Sequence, residues 1–61
     1  MKIILLHGLD GKEIFVNADN IAFFERYTYC DGQYQATNVA TVFNSLTVRE
    51  TPDEIVKEMT K

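Results

Sequence analysis

Short apolar runs of strand length, separated by turn residues, fill the chain as far as residue 50, and a helical spacing appears only after that. Lys2–Leu9 and Lys12–Val16 flank Asp10-Gly11, a pair that strongly favours a two-residue hairpin loop with both positions at positive φ. Such a loop pairs Leu9 with Lys12, His7 with Ile14 and Leu5 with Val16. One face then carries Ile3, Leu5, His7, Leu9, Ile14 and Val16, and the other carries Ile4, Leu6, Glu13, Phe15 and Asn17. The first is the expected core face, although the second is too apolar for a plain solvated surface.

Asn17-Ala18-Asp19-Asn20 punctuates the chain, with Asp19 or Asn20 placed to close an Asx-turn. Ile21–Tyr29 follows as a long extended segment dense in aromatic and β-branched residues. Asp31-Gly32 predicts a second hairpin turn that pairs Tyr29 with Tyr34, Tyr27 with Ala36 and Phe23 with Ala40; a bulge would shift every pair beyond it. Val39–Phe43 continues the returning strand. Asn44-Ser45 predicts a third turn, setting Phe43 opposite Leu46 and Thr41 opposite Val48. One face of this sheet then gathers Ala22, Phe24, Val39, Thr41, Phe43, Leu46 and Val48 as core. Its other face gathers Ile21, Phe23, Tyr27, Tyr29, Tyr34 and Ala36.

The last segment reads as a strand running into a capped helix. Thr51 can accept from the first helical N–H groups while Glu54 bonds back to it, the reciprocal pattern of a capping box. Pro52 suits the first helical position, where its missing N–H costs nothing. Asp53 and Glu54 complement the positive end of the helix dipole, and Lys57 and Lys61 the other end. Ile55, Val56 and Met59 form one apolar stripe. So short a helix is marginal in water and must dock on the strands. The expected fold is one domain, residues 1–61, mainly β with one C-terminal helix: a small bent antiparallel meander or partly closed barrel of about five strands, capped by the helix.

Size and charge narrow the functional classes. The chain has 61 residues, of which 46% are hydrophobic, and a formal net charge of −3. A domain this small buries only about 60% of the surface its unfolded chain exposes, so a partner chain is one route to stability. The acidic balance and the scatter of Lys2, Lys12, Arg26, Arg49, Lys57 and Lys61 make nucleic acid a poor partner. A single cysteine, Cys30, forms no internal disulfide and suits a reducing, cytoplasmic setting. Met1–Leu6 begins like a signal peptide and breaks off at His7, Gly8 and Asp10. No segment approaches the roughly 20 apolar residues of a membrane span, so no membrane partner is expected.

Candidate chemistry is sparse. His7 and Cys30 stand 23 positions apart without a metal-ligand spacing, so neither a metal nor another cofactor is expected. His7, Cys30 and Asp31 can be combined on paper into a nucleophile triad, but the chain is small for a cleft around it. His7 reads better as a partly buried, hydrogen-bonded strand residue. Gly8 and Gly11 precede a strand rather than a helix, which is not the setting of a phosphate loop. Asp53, Glu54 and Glu58 read as a helix start and a solvated face rather than an acid/base pair. No enzymatic activity is expected. The one cluster that invites a functional reading is Phe23, Tyr27, Tyr29 and Tyr34. It serves either as cross-strand packing or as an interface, since tyrosine buries a large amphipathic surface at modest entropic cost. Base stacking would need more cations than Arg26 supplies. The interface reading predicts a homo-oligomer, a dimer first of all, with a different protein as the other candidate occupant.

Two stretches resemble a known family. Leu9-Asp10-Gly11-Lys12-Glu13-Ile14-Phe15-Val16-Asn17-Ala18-Asp19-Asn20-Ile21 is similar to the opening LNGKEFYLNPDLI of the small bacterial flagellar proteins called FlbD. Val48-Arg49-Glu50-Thr51-Pro52-Asp53-Glu54-Ile55-Val56 is similar to their closing strand-to-helix segment. The resemblance covers the two ends and not the tyrosine-bearing middle. It implies a small cytoplasmic bacterial protein associated with motility genes, and it carries over no catalytic residue.

Overall fold

The computed structural model describes residues 1–61. Five strands and one helix follow in order: β1 (Ile3–His7), β2 (Glu13–Asn17), β3 (Ile21–Tyr29), β4 (Tyr34–Thr41), β5 (Ser45–Val48) and α1 (Pro52–Met59), with a single 3₁₀ turn at Ala18–Asn20 between β2 and β3. All pairing is antiparallel, in a two-stranded sheet β1–β2 and a three-stranded sheet β3–β4–β5. The sheets meet where β1 runs out beside β5. Gly8 bridges Val48, and the Arg49 N–H donates to the His7 carbonyl at 2.8 Å. β2 and β3 each pair on one side only, so the sheets do not close into a barrel. The fold is a bent meander capped by a helix.

The β1–β2 register differs by one residue from that expected of a two-residue loop. Leu5 stands opposite Phe15 and His7 opposite Glu13. The loop holds three residues, Leu9, Asp10 and Gly11. The Gly8 N–H donates to the Lys12 carbonyl and the Gly11 N–H to the Gly8 carbonyl, both at 2.9 Å. Gly11 has φ +87°, the left-handed residue that completes a three-residue hairpin. The one-residue slip turns β1 over relative to β2, so Ile3, Leu5, His7 and Leu9 leave the expected core face while Ile14 and Val16 keep it. Ile4, Leu6 and Val16 are accordingly in the core with Ile14 packed against it, while Ile3 and Phe15 face outward.

The second hairpin keeps the expected pairs, Tyr29 with Tyr34, Tyr27 with Ala36 and Phe23 with Ala40. Its turn places Asp31 (φ 56°) and Gly32 (φ 84°) in the left-handed region, as a primed two-residue turn requires. A bulge at Ala22 breaks the register between Ile21 and Phe23. That extra residue turns Ile21 to the core side, against which it packs, and leaves Ala22 exposed. Both residues therefore sit on the side opposite to the one expected.

The third turn also differs. β5 pairs Leu46 with Val39 and Ser45 with Ala40, so Val42 and Phe43 form the tip and Phe43 is 80% exposed rather than part of the core. The Thr41 hydroxyl makes this turn, accepting from the N–H groups of Phe43 and Asn44 at 3.1 and 3.0 Å. No Gly, Asp or Asn-Gly pair marks it in the sequence.

Ile4, Leu6, Val16, Ala18, Val39, Val48 and Ile55 form one buried cluster between the two sheets and α1. Thr37 is buried among them with its hydroxyl donating to the Glu50 carbonyl at 2.6 Å, so its polar atom is not orphaned. The helix is capped as expected: Thr51 accepts from the Glu54 N–H, the Glu54 carboxylate accepts from the Thr51 N–H, and Pro52 opens the first turn. Ile55 is the buried member of its stripe and Met59 packs beside it, whereas Val56 is exposed.

Candidate functional site

One face of the β3–β4–β5 sheet packs on the core and the other stays open. Alternation along each strand sets the open face out in rows across the sheet. Phe23, Ala40 and Ser45 make the first row, and Glu25, Asn38 and Thr47 the second. Tyr27 with Ala36 and then Tyr29 with Tyr34 complete it toward the turn. All four aromatic residues expected to cluster therefore share this face, with the Glu25 row standing between Phe23 and the three tyrosines. Tyr27 and Tyr29 stack with ring centroids 5.9 Å apart, and Tyr29 and Tyr34 at 5.4 Å. Phe23 is 61%, Tyr34 50% and Tyr27 39% exposed. No helix or loop of the chain covers them.

The face is uneven. Its rings line edge strand β3 and the start of β4, while the rest of β4 and β5 contribute small side chains. A groove of about 340 Å³ results, lined by Phe23, Glu25, Asn38, Ala40, Ser45 and Thr47 together with Val39 and Leu46. Thr47 donates its hydroxyl to Asn38 Oδ1 at 2.6 Å. The groove floor is thus partly satisfied from within, which lowers the cost of drying it. Glu25 is its one charged residue. Arg26, on the reverse of the strand, is held by Gln35 at 2.8 Å.

The remaining candidates gather elsewhere. His7 Nδ1 lies 2.6 Å from Glu50 Oε2, and the His7 N–H donates to Glu50 Oε1 at 2.8 Å. Both side chains are part-buried. A histidine beside a carboxylate is half of a general-base arrangement, but Cys30 and Asp31 occupy the β3–β4 turn and the triad drawn on paper is not assembled. The groove beside His7 is lined by Leu5, Glu50, Glu54, Lys57 and Glu58, a solvated and mixed-charge rim. Glu50 ties the two sheets at the junction where β5 hands over to α1. Sequence reasoning missed this role, because 43 residues separate the pair and nothing local marks it. A second apolar patch, Phe15 with Phe43, borders a groove near the β4–β5 turn. No group of His, Cys, Asp and Glu is arranged to hold a metal ion, and no helix is long and apolar enough to cross a membrane. No family model, curated protein or solved structure matches the chain.

Proposed function

We propose that this protein is a non-enzymatic binding module that works by self-association through the open aromatic face of β3–β4–β5. The observation that carries the reading is the exposure of Phe23, Tyr27 and Tyr34 on one contiguous face of so small a domain. Aromatic surface of this kind, poor in charge, marks the centre of protein interfaces. A two-fold dimer, in which each chain offers the same patch, is the commonest way to cover it. His7 has a structural role of its own, bonded to Glu50 where β1 meets β5. Likeness of the two ends to FlbD-type flagellar proteins favours a bacterial cytoplasmic setting and an accessory role near motility, with a different protein as the alternative occupant.

Sedimentation equilibrium at ~100 μM tests the proposal, micromolar affinity being the expectation for a modest apolar interface. The wild type should show twice the chain mass of 7.0 kDa, and Tyr27→Ser with Tyr29→Ser should shift it toward monomer. A monomeric wild type overturns self-association. A dimer indifferent to the double substitution overturns the choice of face.

A further inference from the structure

The unevenness of the aromatic face points to how it is filled. Its rows run from large to small in a fixed direction: Phe23 to Ala40 to Ser45, and Tyr27 to Ala36. The ridge of rings therefore follows one edge of the sheet, and the trough of small side chains lies alongside it toward β5. A two-fold axis lying in this surface parallel to the strands brings the ridge of one copy over the trough of the other, twice.

We infer that two copies of this chain close on each other face to face, with Phe23 of each seated in the trough of the other between Ala40, Ser45 and Thr47. The inference rests on the proposed self-association and adds its geometry. Three features of the surface fit a second copy. The trough lies beside its own Phe23, and the side chains that β4 and β5 set on this face there, Asn38, Ala40, Ser45 and Thr47, are all smaller than a ring. Asn38 and Thr47 on its floor already bond each other, so an apolar ring can lie over that pair. Glu25, the only charge on the face, lies in the row of Asn38 and Thr47, where the hydroxyls of Ser45 and Thr47 from the opposing copy can solvate it.

Area is consistent with a reversible dimer. β3 and β4 pair over eight residues and β5 adds four, so at about 4.8 Å between strands and about 3.4 Å per residue the face has a plan area of roughly 330 Å² a side. Standard stable interfaces bury about 800 Å² a side. The pair therefore belongs with weak, concentration-dependent contacts rather than obligate dimers.

The test exchanges large for small. Phe23→Ala removes the knob, and Ser45→Phe fills the socket at an exposed position. Each variant alone should dimerise about tenfold or more weakly than wild type. An equimolar mixture should recover most of the lost affinity as a heterodimer. In the mixed pair one contact is native and the other sets the new alanine against the new phenylalanine. Circular dichroism checks folding. Isotope-filtered nuclear Overhauser contacts between Phe23 of a labelled wild-type chain and Ser45 of an unlabelled one read the same contact without any substitution. A wild-type dimer unaffected by both substitutions, a mixture that gains nothing, or an absence of those contacts overturns the ridge-in-trough arrangement while self-association stands. A monomeric wild type removes both.

Discussion

Single residues carry much of the order in this chain, and two of them differ in how far they reach. Thr51 acts locally: its hydroxyl and the Glu54 side chain satisfy each other's neighbouring N–H groups, and Thr51→Ala should cost about 1 kcal/mol. Glu50, one position earlier, acts across the fold. Its carboxylate accepts from both the backbone and the ring of His7 while its carbonyl accepts from buried Thr37. Hydrogen bonds to a charged group are worth more than neutral ones, and removing this acceptor strands a part-buried N–H. Glu50→Ala should therefore cost about 2–3 kcal/mol, and His7→Gln, which keeps the backbone bond, about 1 kcal/mol. Urea denaturation gives the ranking. Thr51→Ala proving the most damaging of the three would mean that the β1–β5 junction is not held through Glu50. The cap was legible because its residues are neighbours in sequence. The His7–Glu50 pair was not, because only the folded chain brings them together.

At the scale of elements, the five strands and the helix were legible from turn residues and periodicity, while two of the three turns were not. Asp31-Gly32 gave the right register because a two-residue loop is what forms there. Asp10-Gly11 is compatible with both a two-residue and a three-residue loop, and the apolar pattern could not decide between them. Ile3, Ile4, Leu5 and Leu6 are all apolar, so either face of β1 could have been the buried one. The bulge at Ala22 carries no glycine to announce it. At the β4–β5 turn the tip is Val42-Phe43, which reads as strand, and the reversal depends on the Thr41 side chain instead. Thr41→Val keeps the shape and removes the hydroxyl. We expect a loss of about 1 kcal/mol with amide shifts confined to Thr41–Ser45. An unchanged stability would show that the backbone bond from the Thr41 N–H to the Asn44 carbonyl, 2.7 Å, holds the turn alone. The candidate site was legible as a set of residues, since the second hairpin was read in register. Its trough was not, because the rows that set Ser45 beside Ala40 and Thr47 beside Asn38 come from a β5 register shifted from the expected one.

For the whole molecule, the question is how so small a chain stays folded and what association adds. Globular domains are stable by about 0.05–0.15 kcal/mol per residue, which for this length gives about 3–9 kcal/mol. Ile55 is the only fully buried side chain of α1, and it joins the helix to the cluster formed by both sheets. Truncating it to alanine should cost about 2–5 kcal/mol, a large share of that total, so Ile55→Ala should lie much closer to its unfolding midpoint in dilute solution than wild type. Association then becomes visible as stability. A partner that binds only the native chain shifts the folding equilibrium by mass action. If the open face of β3–β4–β5 is closed by a second copy, the unfolding temperature of both wild type and Ile55→Ala must rise with protein concentration. Phe23→Ala should flatten that rise without lowering stability much in dilute solution, because Phe23 is largely outside the core of the single chain. Thermal melts of the three proteins from ~5 to ~500 μM bracket the micromolar range expected of the contact. Concentration-independent melts throughout would show that the single chain reaches its stability unaided and would overturn self-association.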